Sequence, residues 1–416
     1  MPLRNDPLLA DRDGRLLLAA QALDVVGAGV SMIALPWLVL DHGGTSTQAG
    51  LIFALSVFPY VVFGLPAGVI GDRHSRQKVM WVSHALQALV ALVVPLWAFA
   101  GHPPLTVVLL AAFAIGTARV FVDAAVFGSI ASLIGRERFT QGQATLSAAW
   151  AFGYFAGPAI GGVLIGLIGP AFALLAEAIG FLVAFILILL IRRDLDAGRT
   201  GEEEREPALA MMKEGLDVIW HRPRVRAYTW VSIAWNLGAA MSAALIVPLL
   251  RDTLGLSSVQ AGVVLGLGAV MGLIVPMFLG RLVDAQGSGR VTAGIAVISS
   301  GAILATAAAP GFVVVTVTNA VRSFTDFALI STVIGERQKG VPDRLQARVG
   351  ISGRMIAVCA ISGGGALGSF LADVIGVRGV FIVSGLAVAV AVIITIPRVL
   401  RLDRPDKEPT IELPRR

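Results

Sequence analysis

The sequence predicts an all-α membrane protein in which twelve transmembrane helices form two related six-helix bundles. Three observations support this prediction: the composition, the spacing of long apolar runs, and an internal repeat. The 416 residues are 56% hydrophobic and 14% charged, with a mean hydropathy of +0.81. A soluble domain carries about 25% charged residues. The composition therefore excludes an ordinary soluble fold.

Twelve apolar runs reach the roughly twenty residues that a helix needs to cross a bilayer. The runs of the predicted N-terminal bundle, Leu16–Ile191, are Leu16–Leu40, Ala49–Gly71, Val79–Ala100, Leu105–Leu133, Ala144–Ile168 and Ala171–Ile191. Those of the predicted C-terminal bundle, Val225–Ile396, are Val225–Leu250, Gln260–Val283, Val291–Ala309, Gly311–Ile334, Val349–Ile375 and Gly379–Ile396. An even number of spans places both termini on one side of the membrane.

The distribution of Lys and Arg predicts which side that is. All but five of the 33 Lys and Arg residues lie in the two termini or in loops on the same side. Because positive charge is retained on the cytoplasmic side, we expect the N-terminus Met1–Arg15 and the tail Pro397–Arg416 to be cytoplasmic. The long cytoplasmic linker is Arg192–Arg224.

The linker has two parts. It begins with a charge-rich stretch, Gly201–Pro207, and continues with an apolar-periodic stretch, Ala208–Trp220. This periodicity predicts an amphipathic helix on the membrane surface. A disordered linker throughout is the alternative.

The internal repeat relates the two halves. The segment Pro36–Asp72 recurs 212 positions later. The matches in register are Pro36 with Pro248, Gln48-Ala-Gly50 with Gln260-Ala-Gly262, Gly68 with Gly280, and Asp72 with Asp284. Repeated halves that meet at a central cavity are typical of alternating-access transporters.

Several classes of site are not expected. Cys359 is the only cysteine, and the five histidines show no ligand spacing, so no metal site is predicted and a structural or surface role is expected for each histidine. No phosphate-binding loop and no catalytic constellation occur. The basic residues form no patch with interleaved aromatics, which argues against nucleic acid as a partner. We expect no enzyme activity and no cofactor.

The loop after the second run contains Gly68, Asp72, Arg73, Arg76 and Lys78 at a characteristic spacing, and Gly280 with Asp284 repeat it more weakly. This pattern resembles the cytoplasmic loop of the major facilitator superfamily, G-x-x-x-D-[RK]-x-G-[RK]-[RK]. The resemblance implies that fold for the whole chain and a gate that closes between the halves on the cytoplasmic side. Ser75 and Gln77 depart from the pattern, and Ser132 stands where an acidic partner is usual. The alternative is that the charged residues of this loop only set the orientation of the chain in the membrane.

A second motif lies in the fifth run. It consists of Gly153, Gly157, Pro158, Gly161 and Gly162, and it is similar to the G-x-x-x-G-P-x-x-G-G motif of the antiporter branches of that superfamily. Its glycines predict close helix packing and its proline predicts a bend. Generic packing of a glycine-rich helix is the alternative.

Two further segments, Met212–Pro223 and Gly135–Ala144, resemble a bacterial branch that includes macrolide efflux proteins and the enterobactin exporter. This resemblance implies a monomeric exporter of amphiphilic small molecules, driven by the proton gradient, in the lipid bilayer of the bacterial inner membrane. A dedicated exporter of a native metabolite, siderophore or lipid is one alternative. A non-transporting receptor or scaffold is another, although intramembrane acids would have no use there.

Ionisable residues within the runs are costly and therefore mark pathways or pairs. Asp24 and Glu177 have no opposite charge nearby on their own helices, so we expect one of them to carry the coupling proton. A protonated acid that is merely hydrogen-bonded between helices is the alternative. Arg119 with Asp123, and Arg322 with Asp326, are four residues apart, and this recurrence predicts a structural ion pair in each half. A contact with the substrate is the alternative.

Three further residues are candidates for the substrate cavity. Trp150, Trp235 and Asn236 lie deep in their runs, away from the interfacial belts where tryptophan concentrates. Such side chains suit aromatic or cationic compounds. Packing between helices or contact with lipid is equally compatible with the sequence.

Overall fold

A computed structural model describes residues 7–197, 208–339 and 341–402. All regular secondary structure in these ranges is helical. The charge-rich stretch Gly201–Pro207, the first six residues and residues 403–416 of the tail lie outside the described residues.

The N-terminal half consists of one short helix and six long ones. They are α1 (Pro7–Ala10), α2 (Arg12–Asp41), α3 (Ser46–Arg73), α4 (Arg76–Ala100), α5 (Leu105–Ile134), α6 (Phe139–Ile168) and α7 (Pro170–Leu189). The C-terminal half follows helix α8 (Ala208–His221). It consists of α9 (Pro223–Ala244), α10 (Ile246–Pro248) with a π-helical turn Leu249–Thr253, α11 (Ser258–Gln286), α12 (Ser288–Ala307), α13 (Phe312–Gln338) and α14 (Asp343–Leu402).

Two of these helices, α14 and α9, are interrupted or bent. The long helix α14 is interrupted at Gly376, whose φ of +73° is a backbone conformation that favours glycine. It therefore comprises two helices, residues 343–375 and 377–402. Helix α9 and the segment Ile246–Thr253 form one bent pair with an angle of 43°.

All twelve predicted spans fall on helices in the described part of the chain. Nine helices there are long and apolar enough to cross a membrane, or ten with the bent pair counted as one span. The stretch Leu345–Ala391, counted once, contains the break at Gly376. The all-α membrane fold predicted from the sequence is thus confirmed, while the number of membrane crossings stays a prediction.

The internal repeat has a local physical cause at the start of α3 and α11. Thr45 and Gln48 form a capping box at the start of α3, in which the backbone N–H of Thr45 donates to Gln48 Oε1 at 3.0 Å. Ser257 and Gln260 repeat this arrangement at the start of α11, with the same 3.0 Å distance. The repeated glutamine therefore satisfies backbone groups that a helix N-terminus leaves unpaired.

The two halves pack against each other through α6 with α11 and through α3 with α14. We call the end of the molecule that carries Asp41, Thr45, Arg251 and Asp373 the closed end, because the halves are bonded to each other there. Arg251 Nη2 lies 2.5 Å from Asp41 Oδ1, and Thr45 Oγ1 donates to Asp373 Oδ2 at 3.4 Å. The opposite end, where α3 and α13 finish, is called the open end.

Helix α8 packs on the open end of the C-terminal half. Val218 and Ile219 are buried in a cluster with residues of α9 and α14. Ser352 Oγ donates to the carbonyl of Met212 at 3.0 Å, and Glu214 pairs with Arg348. The apolar face expected to lie on the membrane surface is thus at least partly covered by protein.

Candidate functional site: a cavity between the halves and a buried charged cluster

The larger cavity lies between the two halves and has a volume of about 630 Å³. The N-terminal half contributes Tyr60 and Trp150 to its wall, and the C-terminal half contributes Trp235. The wall continues to Gln338 and Val349, which lie at the open end. The cavity therefore extends from the middle of the molecule towards that end.

All three residues predicted as cavity candidates line this space. Trp150 is held in place because its Nε1–H donates to Gln21 Oε1 at 3.2 Å. Asn236 Nδ2 donates to the carbonyl of Ser232 at 2.7 Å. Trp235 is 5% exposed, and its Nε1–H has no hydrogen-bond partner among the described residues. The wall thus combines aromatic surface with the side-chain amide of Asn236.

A second cavity, of about 150 Å³, lies nearer the closed end. Ser31, Arg119 and Glu177 of the N-terminal half line one side, and Ala243 and Val247 of the C-terminal half line the other. A cation and an acid on different helices therefore face a space that separates the halves.

Asp24 is 1% exposed and lies at the centre of a polar cluster formed by α2, α4 and α5. Its Oδ2 is 3.5 Å from Arg119 Nη2. Its Oδ1 accepts from Gln87 Nε2 at 3.3 Å and lies 3.8 Å from His84 Nδ1. Arginine supplies the counter-charge that a buried carboxylate requires.

Glu177 is also 1% exposed, but its surroundings differ. Ser31 Oγ donates to Oε2, and Oε1 has no partner within the described part of the chain. No basic nitrogen of a described residue lies within ion-pair distance of this carboxyl group. A buried carboxyl group in such a place is stable when it carries a proton or meets a cation.

The ion pair predicted between Arg119 and Asp123 is not formed. Arg119 turns to Asp24, while Asp123 accepts from the Tyr60 hydroxyl at 2.7 Å and lies 3.7 Å from Arg354 Nη2 of the other half. Spacing on one helix gives a shared face but does not decide which neighbouring helix supplies the partner. Both residues therefore form contacts between helices.

The corresponding residues of the C-terminal half do pair within one helix. Arg322 Nη1 lies 2.8 Å from Asp326 Oδ2. Asn319 Oδ1 accepts from Arg322 Nη2 at 3.0 Å. The duplicated Arg and Asp thus have different partners in the two halves.

The predicted cytoplasmic gate motif lies at the open end and spans α3 and α4. Arg76 Nη1 donates to the carbonyl of Gly128 and to Ser132 Oγ, both at 3.0 Å and both within the N-terminal half. It also donates to the carbonyl of Leu195, at the start of the linker, at 2.9 Å. Asp72, Arg73, Lys78 and Asp284 are exposed. A Cβ atom added at Gly68 or Gly280 would meet no atom of the described residues within 4 Å. These glycines therefore face open space in this conformation.

Gln77, where the family pattern has a basic residue, bonds to the end of α7. Its Nε2 donates to the carbonyls of Ile188 and Ile191, both at 2.9 Å. Carbonyls at a helix C-terminus lack partners within the helix. The amide therefore replaces the expected basic side chain at a place that requires a donor.

The glycines of the predicted antiporter motif allow α6 to approach two helices. A Cβ at Gly157 would lie 2.7 Å from Gly29 Cα of α2, and one at Gly153 would lie 2.7 Å from Val25 Cβ. Gly161 also faces α2, with Val30 Cα 3.0 Å from its Cβ position. Gly162 instead faces the other half, where the carbonyl oxygen of Ser258 would be 2.4 Å away. Pro158, inside α6, lies beside Gly29.

Sequence reasoning missed several polar residues of this site. His84 was expected to have a structural or surface role near a loop, yet it is fully buried inside α4 beside Asp24. Ser31, Tyr60 and Gln87 also escaped notice. The spacing of His84 and Gln87, three residues apart in an apolar run, was the available signal, because it places two polar side chains on one helix face.

Comparison with known proteins agrees with this architecture. Residues 17–352 match the Major Facilitator Superfamily. The chain is 28% identical over 406 residues to the multidrug efflux pump Tap of Mycolicibacterium fortuitum, covering 94% of this chain and 97% of that protein. It is 23% identical over 263 residues to the enterobactin exporter EntS of Shigella dysenteriae serotype 1 (strain Sd197), covering 62% of each chain.

The same fold occurs in solved structures. The inward-facing, occupied form of a bacterial homologue of the human lysosomal transporter Spinster superposes with a TM-score of 0.77 at 14% identity, covering 97% of this chain and 99% of that one. A point mutant of the nucleoside transporter NupG gives a TM-score of 0.75 at 11% identity, covering 92% and 99%. Since the family match extends over most of the chain, this multi-pass membrane protein belongs to the Major Facilitator Superfamily.

Proposed function

We propose that the protein is a proton-driven exporter of drug-like amphiphilic small molecules in the bacterial inner membrane, acting as a monomer with both termini in the cytoplasm. The observation that supports this most directly is the cavity of about 630 Å³ between the halves, which extends towards the open end. If the termini are cytoplasmic, that end faces the cytoplasm, and the structure corresponds to the state that loads substrate. The export relatives Tap and EntS support the direction of transport.

The cavity wall suits amphiphiles. Trp150, Tyr154 and Trp235 offer aromatic surface, and Ser232 and Asn236 offer polar atoms. Mainly apolar pockets with a few polar groups are typical of small-molecule sites. A single chain contributes both walls, so transport does not require a second copy.

The second cavity supports coupling to protons. Arg119 pairs with Asp24 here, yet it lines the same space as Glu177. When Glu177 loses its proton, the two carboxylates compete for the one guanidinium, so proton release favours a rearrangement of α2, α5 and α7. When Glu177 binds a proton, Arg119 returns to Asp24. Such a two-state element is what allows proton binding to bias a conformational equilibrium.

Inverted membrane vesicles that contain the full chain test this proposal. With an acidic interior, gradient-dependent accumulation of cationic, neutral and anionic fluorescent amphiphiles is measured for the wild type, Asp24→Asn, Glu177→Gln and the double variant. We expect accumulation by the wild type for at least one class and its loss in the double variant. Asp217→Asn, an exposed acid on α8 that pairs with His221, is the matched control.

The outcomes separate the alternatives. Wild-type accumulation that persists in the double variant would refute coupling through these acids. Strong preference for one compound of cellular origin would favour a dedicated exporter of a metabolite, siderophore or lipid, to which the EntS relative lends support. Absence of accumulation for every compound, with folded protein present, would favour a receptor or scaffold.

A further inference from the structure

We propose that Arg337 forms an anion-binding site in the wall of the large cavity and binds the acidic group, a carboxylate or phosphate, of the transported amphiphile. The identification of the ligand as cargo rests on the function proposed above. The site itself rests on the surroundings of Arg337, on the charges of the cavity wall, and on the departure from internal symmetry at this position.

Arg337 lies at the end of α13, is 7% exposed, and lines the large cavity. Its Nε and Nη2 atoms are buried and have no hydrogen-bond partner among the described residues. The other deeply placed arginines face an acid, as Arg119 faces Asp24 and Arg322 faces Asp326. A guanidinium group that gives up water without a counter-charge is strongly destabilising. A ligand in the cavity is therefore expected to supply the missing counter-charge.

The acid next to Arg337 in sequence is already engaged. Glu336 Oε2 lies 2.5 Å from Arg224 Nη2, and its Oε1 lies 2.5 Å from Lys339 Nζ. Consecutive side chains on an α-helix point about 100° apart, so Glu336 and Arg337 face different surroundings. The C-terminal end of α13 attracts a cation, but its carbonyls form no hydrogen bond with the two buried nitrogens.

A glycine on the facing helix makes room for the guanidinium. A Cβ atom at Gly353 of α14 would lie 2.6 Å from Arg337 Nη1. Gly353 lines the same cavity. The absence of a side chain at position 353 thus allows the guanidinium to lie against α14 at the cavity wall.

The charges of the cavity wall favour an anion. Among the described residues of the wall, Arg337 and Arg354 are the basic ones and Asp123 is the acidic one. Asp123 is bound to the Tyr60 hydroxyl and lies beside Arg354, so it does not neutralise Arg337. The remaining wall is mainly apolar and aromatic. A compound with an acidic head and an apolar or aromatic body matches this wall.

Arg337 also departs from the internal repeat, which independently supports a functional role for it. The register that aligns Arg119 with Arg322 aligns Ile134 with Arg337. Arg337 therefore does not belong to the duplicated framework of the fold. Binding sites are expected to break such symmetry, whereas scaffold residues preserve it.

Binding to the purified full chain tests the site. The probes are 11-(dansylamino)undecanoic acid and its uncharged methyl amide, measured by dansyl fluorescence in nanodiscs of phosphatidylcholine. We expect the wild type to bind the acid about tenfold more tightly than the amide, since hydrogen bonds to charged groups are the stronger ones. Arg337→Gln is expected to remove this preference. Arg337→Lys is expected to retain part of it.

Two more variants make the result interpretable. Arg226→Gln removes an exposed arginine at the same end of the C-terminal half and is expected to keep the preference. Gly353→Ala displaces the guanidinium and is expected to weaken binding of the acid only, which tests the site if Arg337→Gln does not fold. No preference in the wild type, or an unchanged preference in folded Arg337→Gln, would overturn the proposal.

Two further measurements distinguish a cargo molecule from a lipid headgroup and from free phosphate as the source of the anion. If the preference disappears when phosphatidylglycerol is added to the nanodiscs, the site serves a lipid headgroup, and the assignment to cargo is refuted. If millimolar phosphate removes it, the site takes free phosphate instead, with the same consequence. Binding does not depend on the proton gradient. Loss of gradient-driven accumulation with intact acid preference would therefore contradict the proposed function and leave this site standing.

Discussion

Gly162 of the antiporter motif contacts the other half, so its substitution should affect one conformation more than the other. In Gly162→Ala the new Cβ would lie 2.4 Å from the carbonyl oxygen of Ser258 and 3.0 Å from Gly262 Cα. These are backbone atoms that cannot rotate away, and an ordinary contact begins at 3.4 Å. The closed end must therefore open by about 1 Å at this point.

Overpacking of this kind costs about 1–3 kcal/mol. The clash exists only while the closed end is closed, so the cost applies to this conformation and not to one in which α6 and α11 separate there. The population ratio of the two conformations should therefore change by a factor of about 5 to 150. Gly166→Ala is the matched control, because its Cβ would lie 3.3 Å from a rotatable side-chain atom, Ser258 Oγ.

The assay is the distance between spin labels at the open ends of the two halves. Cysteines at the exposed residues Gln141 and Gln286, in a Cys359→Ser background, report the separation of α6 and α11 at that end. We expect Gly162→Ala to shift the distance distribution to shorter values, and Gly166→Ala to leave it unchanged. A folded Gly162→Ala protein with the wild-type distribution would show that this packing does not set the conformational balance.

Three further predictions concern contacts of the described residues. Asp41→Asn and Arg251→Gln each remove the ion pair of 2.5 Å at the closed end. A double-mutant cycle on the free-energy difference between the two conformations, measured with the same spin labels, should give a coupling energy of about 0.2–1 kcal/mol. Additive effects of the two substitutions on that free energy would contradict this prediction. Arg76→Gln loses hydrogen bonds to two carbonyls and should lower the thermal unfolding temperature, whereas Lys78→Gln, an exposed side chain, should not. Trp235→Ala should weaken binding of aromatic amphiphiles by about 1–3 kcal/mol, measured by equilibrium titration, and an unchanged affinity would exclude Trp235 from the site.

The fold was largely predictable because membrane helices are specified by features that sequence displays directly. Length and hydropathy mark each apolar run, and backbone groups in lipid must be satisfied within the helix. The repeat of Gln48 as Gln260 was also visible, and the structure explains it by the same capping box in both halves. The break at Gly376 agrees with the predicted boundary between the last two spans.

The partners of charged residues were not predictable in the same way. The spacing of Arg119 and Asp123 is the same as that of Arg322 and Asp326, yet only the second pair forms within its helix. The difference arises because Asp24 of α2 competes for Arg119, and tertiary packing decides which helix faces α5. A periodicity argument reports which side chains share a face, but not what lies opposite that face.

The two halves also differ in the ligand that we propose each of them binds. The duplicated capping boxes belong to the scaffold. Asp24 and Glu177 lie in the N-terminal half, and Arg337, which breaks the duplication, lies in the C-terminal half. On the proposals made above, the first half holds the proton and the second half holds the acidic group of the cargo. Coupling then requires the halves to move against each other, because neither half holds both ligands.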